Sequence, residues 1–139
     1  MGESIMNEDM IKIGFEGEKI IRNYLKTLNN CEFGQIDIIA KIGNDWYSFE
    51  IKKQEMFEKP PFDGHGLPPW QINFRIKMFN ELGIIPILFI VDKITNIIYY
   101  QNMIILNKYT IKGESFLTKT KKRIIFPLDA FKILTNVPT

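Results

Sequence analysis

The stretch from Gln35 to Lys52 constrains the fold more than any other part of the chain, because it predicts two β-strands joined by a two-residue turn. Gly43 and Asn44 separate two runs of strand-forming residues. Glycine in the first position of a two-residue loop favours a type II′ hairpin. That turn fixes the pairing, so we expect Asp37 to lie directly opposite Glu50.

The predicted pairing brings charged side chains together on one face of the hairpin. Side chains alternate along a strand, so Lys52 points to the same side as Glu50. Opposed residues of an antiparallel pair lie about 5 Å apart at Cβ. Two carboxylates at that distance, those of Asp37 and Glu50, repel each other unless a cation lies between them. A divalent metal ion with oxygen ligands is the obvious candidate.

A solvated polar face of the hairpin would place acids and lysines in the same way, and this alternative stays open. The neighbouring residues argue for a site instead, since they make the strands largely apolar, as in a central sheet that is covered on both faces. These apolar residues are Ile36, Ile38, Ile39, Ala40, Phe49 and Ile51.

Composition sets broad limits on the protein. The chain has 139 residues, enough for one domain with a real core, and its 45% hydrophobic and 24% charged residues are ordinary for a soluble globular protein. The single cysteine, Cys31, excludes an internal disulfide. The acidic, polar stretch from Met1 to Met10 is unlike a secretory signal, and the longest apolar run, Ile84 to Val91, is too short to span a membrane. We therefore expect a cytoplasmic protein, or one of the host cytoplasm if it is viral.

The formal net charge of +2 permits a nucleic-acid partner without requiring one. A polyanion would have to be held by local clusters of basic residues.

A first helix is predicted from Asn7, the capping residue, to about Leu28. Glu18 falls inside its apolar stripe, where another aliphatic residue is expected, so the carboxylate should be paired or functional. The alternative is an exposed acid on a helix with different ends. The stripe consists of Ile11, Gly14, Ile21, Leu25 and Leu28.

Residues 56–69 are rich in proline, glycine and aromatic residues and lack helical or strand periodicity. They predict a long loop, and loops of this length in compact domains tend to be functional. His65 lies in this segment between two glycines, a position that favours a surface residue over a ligand or base.

The remaining pattern predicts a helix from Pro68 to Gly83, with Gln71 in its first turn, and strands at 87–91, 97–100 and 124–126. Residues 103–106 are apolar but ambiguous, and a last short helix is expected from Pro127 to about Leu134. This order predicts a single α/β domain over residues 1–139, with a central mixed β-sheet flanked by helices.

Three motifs in this order resemble the PD-(D/E)xK nuclease superfamily, which has a restriction-endonuclease-like fold. The segment from Gly14 to Glu18 resembles its Gly-x-x-x-Glu helix, Asp37 its first motif, and Ser48 to Lys52 its second motif strand. Within the superfamily, the chain looks most like small Holliday junction resolvases and small phage or viral nucleases, over about residues 10 to 91. Ile36 stands where the family has its non-ligand proline, and the strongly basic termini of the resolvases are missing.

The resemblance implies a role for each matched residue. Asp37 and Glu50 would hold Mg²⁺ or Mn²⁺, the backbone carbonyl of Ile51 would add a ligand, and Glu18 would bind the metal directly or through water. Lys52 would orient the attacking water or stabilise the transition state, and Gln71 would orient the substrate or the lysine. Oxygen ligands suit such hard cations, which activate water for phosphodiester hydrolysis.

Two sets of basic residues are candidate contacts to phosphate, although charge runs are often only solvated. The first set is Lys53, Arg75 and Lys77, and the second is Lys119, Lys121, Lys122 and Arg123. The aromatic side chains of Phe57, Phe62 and Trp70 could stack on bases or anchor the loop. The expected partner is DNA, duplex or branched, and the pattern permits a homodimer.

The predicted function is that of a metal-dependent DNA endonuclease, of resolvase or structure-specific type. One alternative is a catalytically inactive module of the same fold that binds nucleic acid or protein. A second is an unrelated metal-dependent enzyme on an α/β sheet.

Overall fold

The computed structural model describes residues 8–31 and 36–135, with side chains from residue 16 onward. The chain divides into two compact units, Met1–Gly34 and Gln35–Thr139. Among the described residues, the first unit contains one helix, and the second contains two sheets with their helices. Whether residues 1–139 act as a single domain stays a prediction.

The elements follow one another in an order that mixes helices and strands throughout the second unit. The helices are α1 (Glu8–Leu25), α2 (Pro69–Leu82) and α3 (Met103–Ile111). The strands are β1 (Ile38–Ile42), β2 (Asp45–Gln54), β3 (Phe57–Lys59), β4 (Phe62–Leu67), β5 (Ile85–Asp92), β6 (Ile98–Asn102), β7 (Phe116–Leu117), β8 (Ile124–Pro127) and β9 (Lys132–Leu134).

The larger sheet has five strands in the order β1-β2-β5-β6-β9. The β2–β5 pair is parallel and the other three pairs are antiparallel. Helices α2 and α3 contact each other and pack on β5. The predicted fold class, an α/β arrangement with a central mixed sheet and flanking helices, is confirmed.

The hairpin of β1 and β2 has the predicted register. Ile42 pairs with Asp45 at the turn, and Ile38 pairs with Phe49 at the far end. Gly43 has a φ of +63°, whereas Asn44 is not among the described residues with positive φ, which is the pattern of a type II′ turn.

The covered face of the five-stranded sheet is set by strict alternation along β5. Pro86, Leu88, Ile90 and Asp92 are buried, while the residues between them are only partly so. Leu88 and Ile90 join side chains from α2, α3 and β8 in one core. The buried members of this core are Leu67, Ile72, Leu88, Ile90, Tyr99, Met103, Leu106, Phe126, Ala130 and Phe131.

The prediction that residues 56–69 form a loop is wrong. They supply β3, β4 and the first residue of α2, and the two strands belong to a four-stranded antiparallel sheet in the order β3-β4-β8-β7. Strand β4 contains Gly64 and Gly66 because β8 passes close to it. A Cβ at Gly66 would overlap the carbonyl oxygen of Ile124. The glycines therefore reflect close packing rather than chain flexibility.

Two helix predictions need correction and one is confirmed. Helix α1 ends at Leu25, before the predicted Leu28, and its proposed cap Asn7 lies outside the described residues. Helix α2 ends as predicted, since Gly83 is left-handed with a φ of +71° and its N–H bonds to Phe79 O.

The predicted last helix is a single 3-10 turn, Leu128–Ala130, followed by strand β9. Leu134 pairs with Ile98 at the sheet edge, and Gln101 Nε2 donates to Ala130 O at 3.0 Å. These long-range contacts override the local helix signal. The ambiguous residues 103–106 open helix α3, whose first turn is capped by the side chain of Asn102.

Among the residues that the structure describes, no helix has the length and apolar character needed to cross a membrane.

The packing of β4 against β8 makes a prediction for Gly66. Gly66→Ala should lower the free energy of unfolding by about 1–3 kcal/mol or more, because the added Cβ collides with backbone that cannot move aside cheaply. Chemical denaturation of purified protein measures the change. Gly17→Ala in α1 is the control, since a Cβ there meets nothing within 4 Å and should be neutral or stabilising by up to about 1 kcal/mol. Equal stability of Gly66→Ala and wild type would contradict the close packing.

Candidate functional site

The site is built on a row of polar side chains along β2. Parallel pairing sets Ser48, Glu50, Lys52 and Gln54 beside the buried residues of β5, from Pro86 to Asp92. Neighbouring residues in register share a face of the sheet, so this polar row lies on the covered face. A polar row there must find its partners within the protein.

Glu50 is the centre of this row and is only 4% exposed. Its Oε1 lies 3.1 Å from Lys52 Nζ, and its Oε2 accepts a hydrogen bond of 2.7 Å from Arg75 Nη2. Arg75 Nη2 also lies 3.3 Å from the backbone oxygen of Phe49, which it can use as a second acceptor. Two cations therefore offset one buried carboxylate, and the predicted adjacency of Glu50 and Lys52 is observed.

Arg75 does not lie where a contact to nucleic acid would need it. Its side chain is 1% exposed on the sheet side of α2, and the guanidinium is held by Glu50. Burial lowers the pKa of Arg75 from its ordinary value, while the charge and hydrogen bond of Glu50 and then the charge of Asp37 oppose that effect. The prediction that Arg75 contacts phosphate is corrected, because the helix turns this residue towards the acid of β2.

Asp37 lies one residue before the start of β1, where the register extended by one step sets it opposite Glu50. Its Oδ2 accepts a hydrogen bond of 2.8 Å from the backbone N–H of Ile51, the residue after Glu50. Its charge also acts on Arg75. Asp37 therefore lies at the same end of the hairpin as Glu50, as the register predicts.

The donor set around Glu50 suits a hard divalent cation in its chemistry. Mg²⁺ and Mn²⁺ prefer oxygen ligands, and Mg²⁺ often takes only one or two carboxylates from the protein. Asp37 and Glu50 supply the carboxylates of this set, and their binding of such an ion stays a prediction. Within the described residues, no group of three or more His, Cys, Asp or Glu side chains has the geometry of a metal site. The role of the Ile51 carbonyl as a further ligand stays a prediction.

The expected repulsion between uncompensated acids is not what the structure contains. Both oxygens of Glu50 already contact a positive nitrogen, so its negative charge is stabilised by Lys52 and Arg75. A metal ion would share Glu50 with these side chains rather than relieve an unpaired charge.

Glu18 is exposed, contrary to the expectation of a position on the core side of the helix. Its side chain is 59% exposed and its Oε1 lies 3.1 Å from Arg22 Nη2, one helical turn further on. Acidic and basic side chains four residues apart on a helix meet readily without any tertiary partner. Its predicted contact with a metal stays a prediction.

Gln71 lies in the first turn of α2, one turn before Arg75. Its Oε1 is buried, and it has no hydrogen-bond partner among the described residues; the same holds for Ser48 Oγ and Arg75 Nη1. Most buried polar atoms in folded proteins have a partner, so each of these three atoms calls for an explanation. The orienting role of Gln71 stays a prediction.

Comparison with known proteins adds a weak structural likeness. No protein-family model and no curated protein matches the sequence. Among solved structures, the chain is similar to the 1.6 Å structure of Hjc from Archaeoglobus fulgidus, a Holliday junction resolvase from an archaeal hyperthermophile. The alignment covers 85% of this chain and 86% of that chain, at 11% identity and a TM-score of 0.47.

A second polar cluster, centred on His65, is one that the sequence did not predict. His65 is fully buried in β4, with Nδ1 at 3.0 Å from Gln54 Oε1 and Nε2 at 3.1 Å from Asp92 Oδ2. Gln54 is fixed in turn by Gly66, whose N–H donates to Gln54 Oε1 and whose oxygen accepts from Gln54 Nε2. The expectation of a surface histidine is wrong, because β4 carries the ring between the two sheets.

Opposing effects set the protonation of this cluster. Burial has the largest effect on His65 and lowers its pKa. The hydrogen bond to Asp92 and the charge of Asp92 raise the pKa, and the charge of Arg123 lowers it. The net result is a lowered pKa. Burial alone would raise the pKa of Asp92, but hydrogen bonds from the Thr95 and Ile94 amides, together with His65, lower it.

The other predicted nucleic-acid contacts are exposed or half-buried. Lys53 and Lys77 are exposed on β2 and α2. The basic run is the loop between β7 and β8, with Lys119, Lys121 and Lys122 exposed and Arg123 half-buried. The structure thus keeps six of the seven candidates accessible.

His65 makes a prediction for the pH dependence of stability. Its pKa in the folded protein lies below the ordinary 6.5, so the unfolded chain binds the proton more readily. The free energy of unfolding should fall as the pH decreases through about 6.5, with a slope of at most about 1.4 kcal/mol per pH unit.

Urea denaturation between about pH 7.5 and 5.5 measures this slope, and His65 is the only histidine of the chain. His65→Gln should flatten it. A wild-type stability that stays constant or rises on acidification would contradict the prediction. Below the ordinary 3.8 of Asp92, whose pKa is also lowered in the folded protein, a further loss should follow.

Proposed function

We propose that this protein is a metal-dependent nuclease that hydrolyses phosphodiester bonds of DNA, of resolvase-like or structure-specific type. The observation that carries the proposal is the buried Glu50 in contact with Lys52. The Asp37 carboxylate accepts a hydrogen bond from the backbone N–H of Ile51, which lies between these two residues. This arrangement matches the order and spacing of the PD-(D/E)xK motifs.

Each residue has a distinct task in this proposal. Asp37 and Glu50 would hold Mg²⁺ or Mn²⁺, which supplies Lewis-acid stabilisation of charge on the phosphate and a more acidic bound water. Arg75 orients Glu50, since the guanidinium is buried against its carboxylate. Lys52 is 26% exposed, so its ammonium can approach a phosphate oxygen as well as Glu50.

Gln71 would orient the substrate or Lys52 with its unsatisfied Oε1. The exposed Lys53 and Lys77 would contact DNA phosphates beside the site.

The second candidate function, a catalytically inactive module that binds nucleic acid or protein, is favoured by one feature. Arg75 and Lys52 already satisfy both oxygens of Glu50, so the acid can serve as a structural ion pair without a metal. In a buried ion pair each charge compensates its partner, and no ligand is needed.

Metal binding predicts a change in thermal stability. Mg²⁺ or Mn²⁺ should raise the melting temperature of the wild type by mass action on the folded state. Asp37→Asn should abolish most of the increment, because it removes one of two carboxylate ligands. Asp45→Asn is the matched control, since this exposed acid lies at the turn of the same hairpin and should leave the increment intact. Equal metal-induced shifts in wild type and Asp37→Asn would refute the ligation.

Lys52 separates an enzyme from a binding module. Lys52→Ala should reduce the rate of Mg²⁺-dependent plasmid nicking by roughly two to three orders of magnitude, the effect of losing one preorganised charge beside the reacting group. Binding to a four-way junction in Ca²⁺ should change far less, because many phosphate contacts share the affinity. Lys41→Ala, an exposed lysine on β1, is the control and should nick normally.

A panel of single-strand, duplex, flap and four-way junction substrates completes this test. If wild-type protein cleaves none of them with either metal and binds DNA as tightly as Lys52→Ala, the inactive module is the correct function.

A further inference from the structure

The four-stranded sheet carries a groove that shares no residue with the acid site. It has a volume of about 730 Å³ and is lined by β3, by β7 and by the loop to β8. Strand register explains which side chains meet there. Gly64 of β4 pairs with Phe57 on one side and with Pro127 on the other. Phe116 of β7 pairs with Ile125, which lies two residues before Pro127 on β8. All of these residues therefore share one face of the sheet.

Two aromatic side chains, Phe57 and Phe116, line the groove. The ring of Phe116 lies 5.3 Å from that of Phe57 and 4.9 Å from that of Phe62. Strands β3 and β7 are the two opposite edges of the sheet, so Phe57 and Phe116 can meet only because the sheet is strongly curved. The concave face is the one on which Gly64 and Gly66 have no side chains. Phe57 and Phe116 are only half-buried and keep ring surface available to a ligand.

The rim of the groove is positively charged. Lys59, Lys119, Lys122 and Arg123 are among its lining residues, and no acidic residue is. The loop that supplies three of these cations has a defined conformation, since Thr118 N–H donates to Arg123 O at 2.9 Å and Lys121 N–H to Thr118 O at 2.8 Å. These bonds fix the backbone that carries the cations along the rim of the groove.

We propose that this groove binds an unpaired stretch of a nucleic-acid strand. Proteins that bind single strands combine a basic groove along the backbone with aromatic side chains that stack on bases, and here both lie within one cavity. A volume of about 730 Å³ falls in the range of sites for small organic ligands, which suits one or two unstacked nucleotides rather than a duplex. Phe57 contacts a base, and Lys119 and Lys122 contact the flanking phosphates.

The groove lies on a different sheet from Asp37 and Glu50, so this binding needs neither metal nor catalysis. It goes beyond the proposed nuclease function, to which it would add a preference for substrates with single-stranded segments. An acidic peptide is the competing ligand, because it would use the same cations but gain no stacking.

The test is fluorescence anisotropy of a labelled oligothymidine with the full-length protein in EDTA, where no cleavage interferes. The double variant Lys119→Glu/Lys122→Glu should weaken binding and reduce the slope of log affinity against log salt by about 1.4, for two lost phosphate contacts. Lys59→Glu/Lys122→Glu should do the same. The control is Lys132→Glu/Lys112→Glu, an identical change in net charge at exposed lysines outside the groove lining, which should leave the slope unchanged.

Stacking has its own readout. Phe57→Leu keeps an apolar side chain but removes the ring, so affinity for oligothymidine should fall at least about fivefold, while affinity for an acidic polyglutamate peptide should not change. Thermal melts confirm that each variant is folded, and the charge variants decide the matter if Phe57→Leu is not. Equal slopes for the groove and control variants would overturn the proposal, as would tighter binding of polyglutamate than of oligothymidine. Because no metal is present, neither result bears on whether Asp37 and Glu50 support cleavage.

Discussion

The contact between Glu50 and Arg75 is the interaction on which the rest of the larger unit depends. A carboxylate that is 4% exposed on a central strand would be costly without a partner, and the 2.7 Å hydrogen bond from Arg75 supplies one. Arg75 also lies near the backbone oxygen of Phe49, so the guanidinium ties α2 to β2 at two points. The position of α2 over the sheet is therefore set by charge pairing as well as by apolar packing.

The same row of β2 joins the two sheets at its other end. Gln54, four residues after Glu50, bonds to both backbone groups of Gly66 and faces the ring of His65, whose other nitrogen faces Asp92. Each partner in this chain of contacts limits the freedom of the next. Polar residues on the covered face of β2 thus have two roles. Glu50 orients α2 and the proposed site, and Gln54 binds β4 of the second sheet.

The parts of this structure that could be predicted from the sequence are those set by neighbouring residues. The hairpin register follows from one turn and from alternation, and the end of α2 follows from Gly83. The burial of His65 and Arg75 does not follow from local sequence, because their partners, Asp92 and Glu50, lie 27 and 25 positions away in the chain. Strand β4 has no strand pattern in its sequence because Gly64 and Gly66 are required by the close approach of β8, which is remote in the chain, and β3 pairs only with β4.

The two cations that hold Glu50 differ in a way that bears on both candidate functions. Arg75 is 1% exposed, so its departure from Glu50 Oε2 would leave a buried charge without a partner. Lys52 is 26% exposed, so its side chain can turn from Oε1 towards solvent. A metal ion at this site would therefore compete with Lys52 for one oxygen and leave Arg75 in place. An inactive module needs both contacts only for stability, but a nuclease needs Lys52 to exchange between the acid and the substrate. The exposure of Lys52 makes that exchange physically accessible, whereas Arg75 is confined to the structural contact.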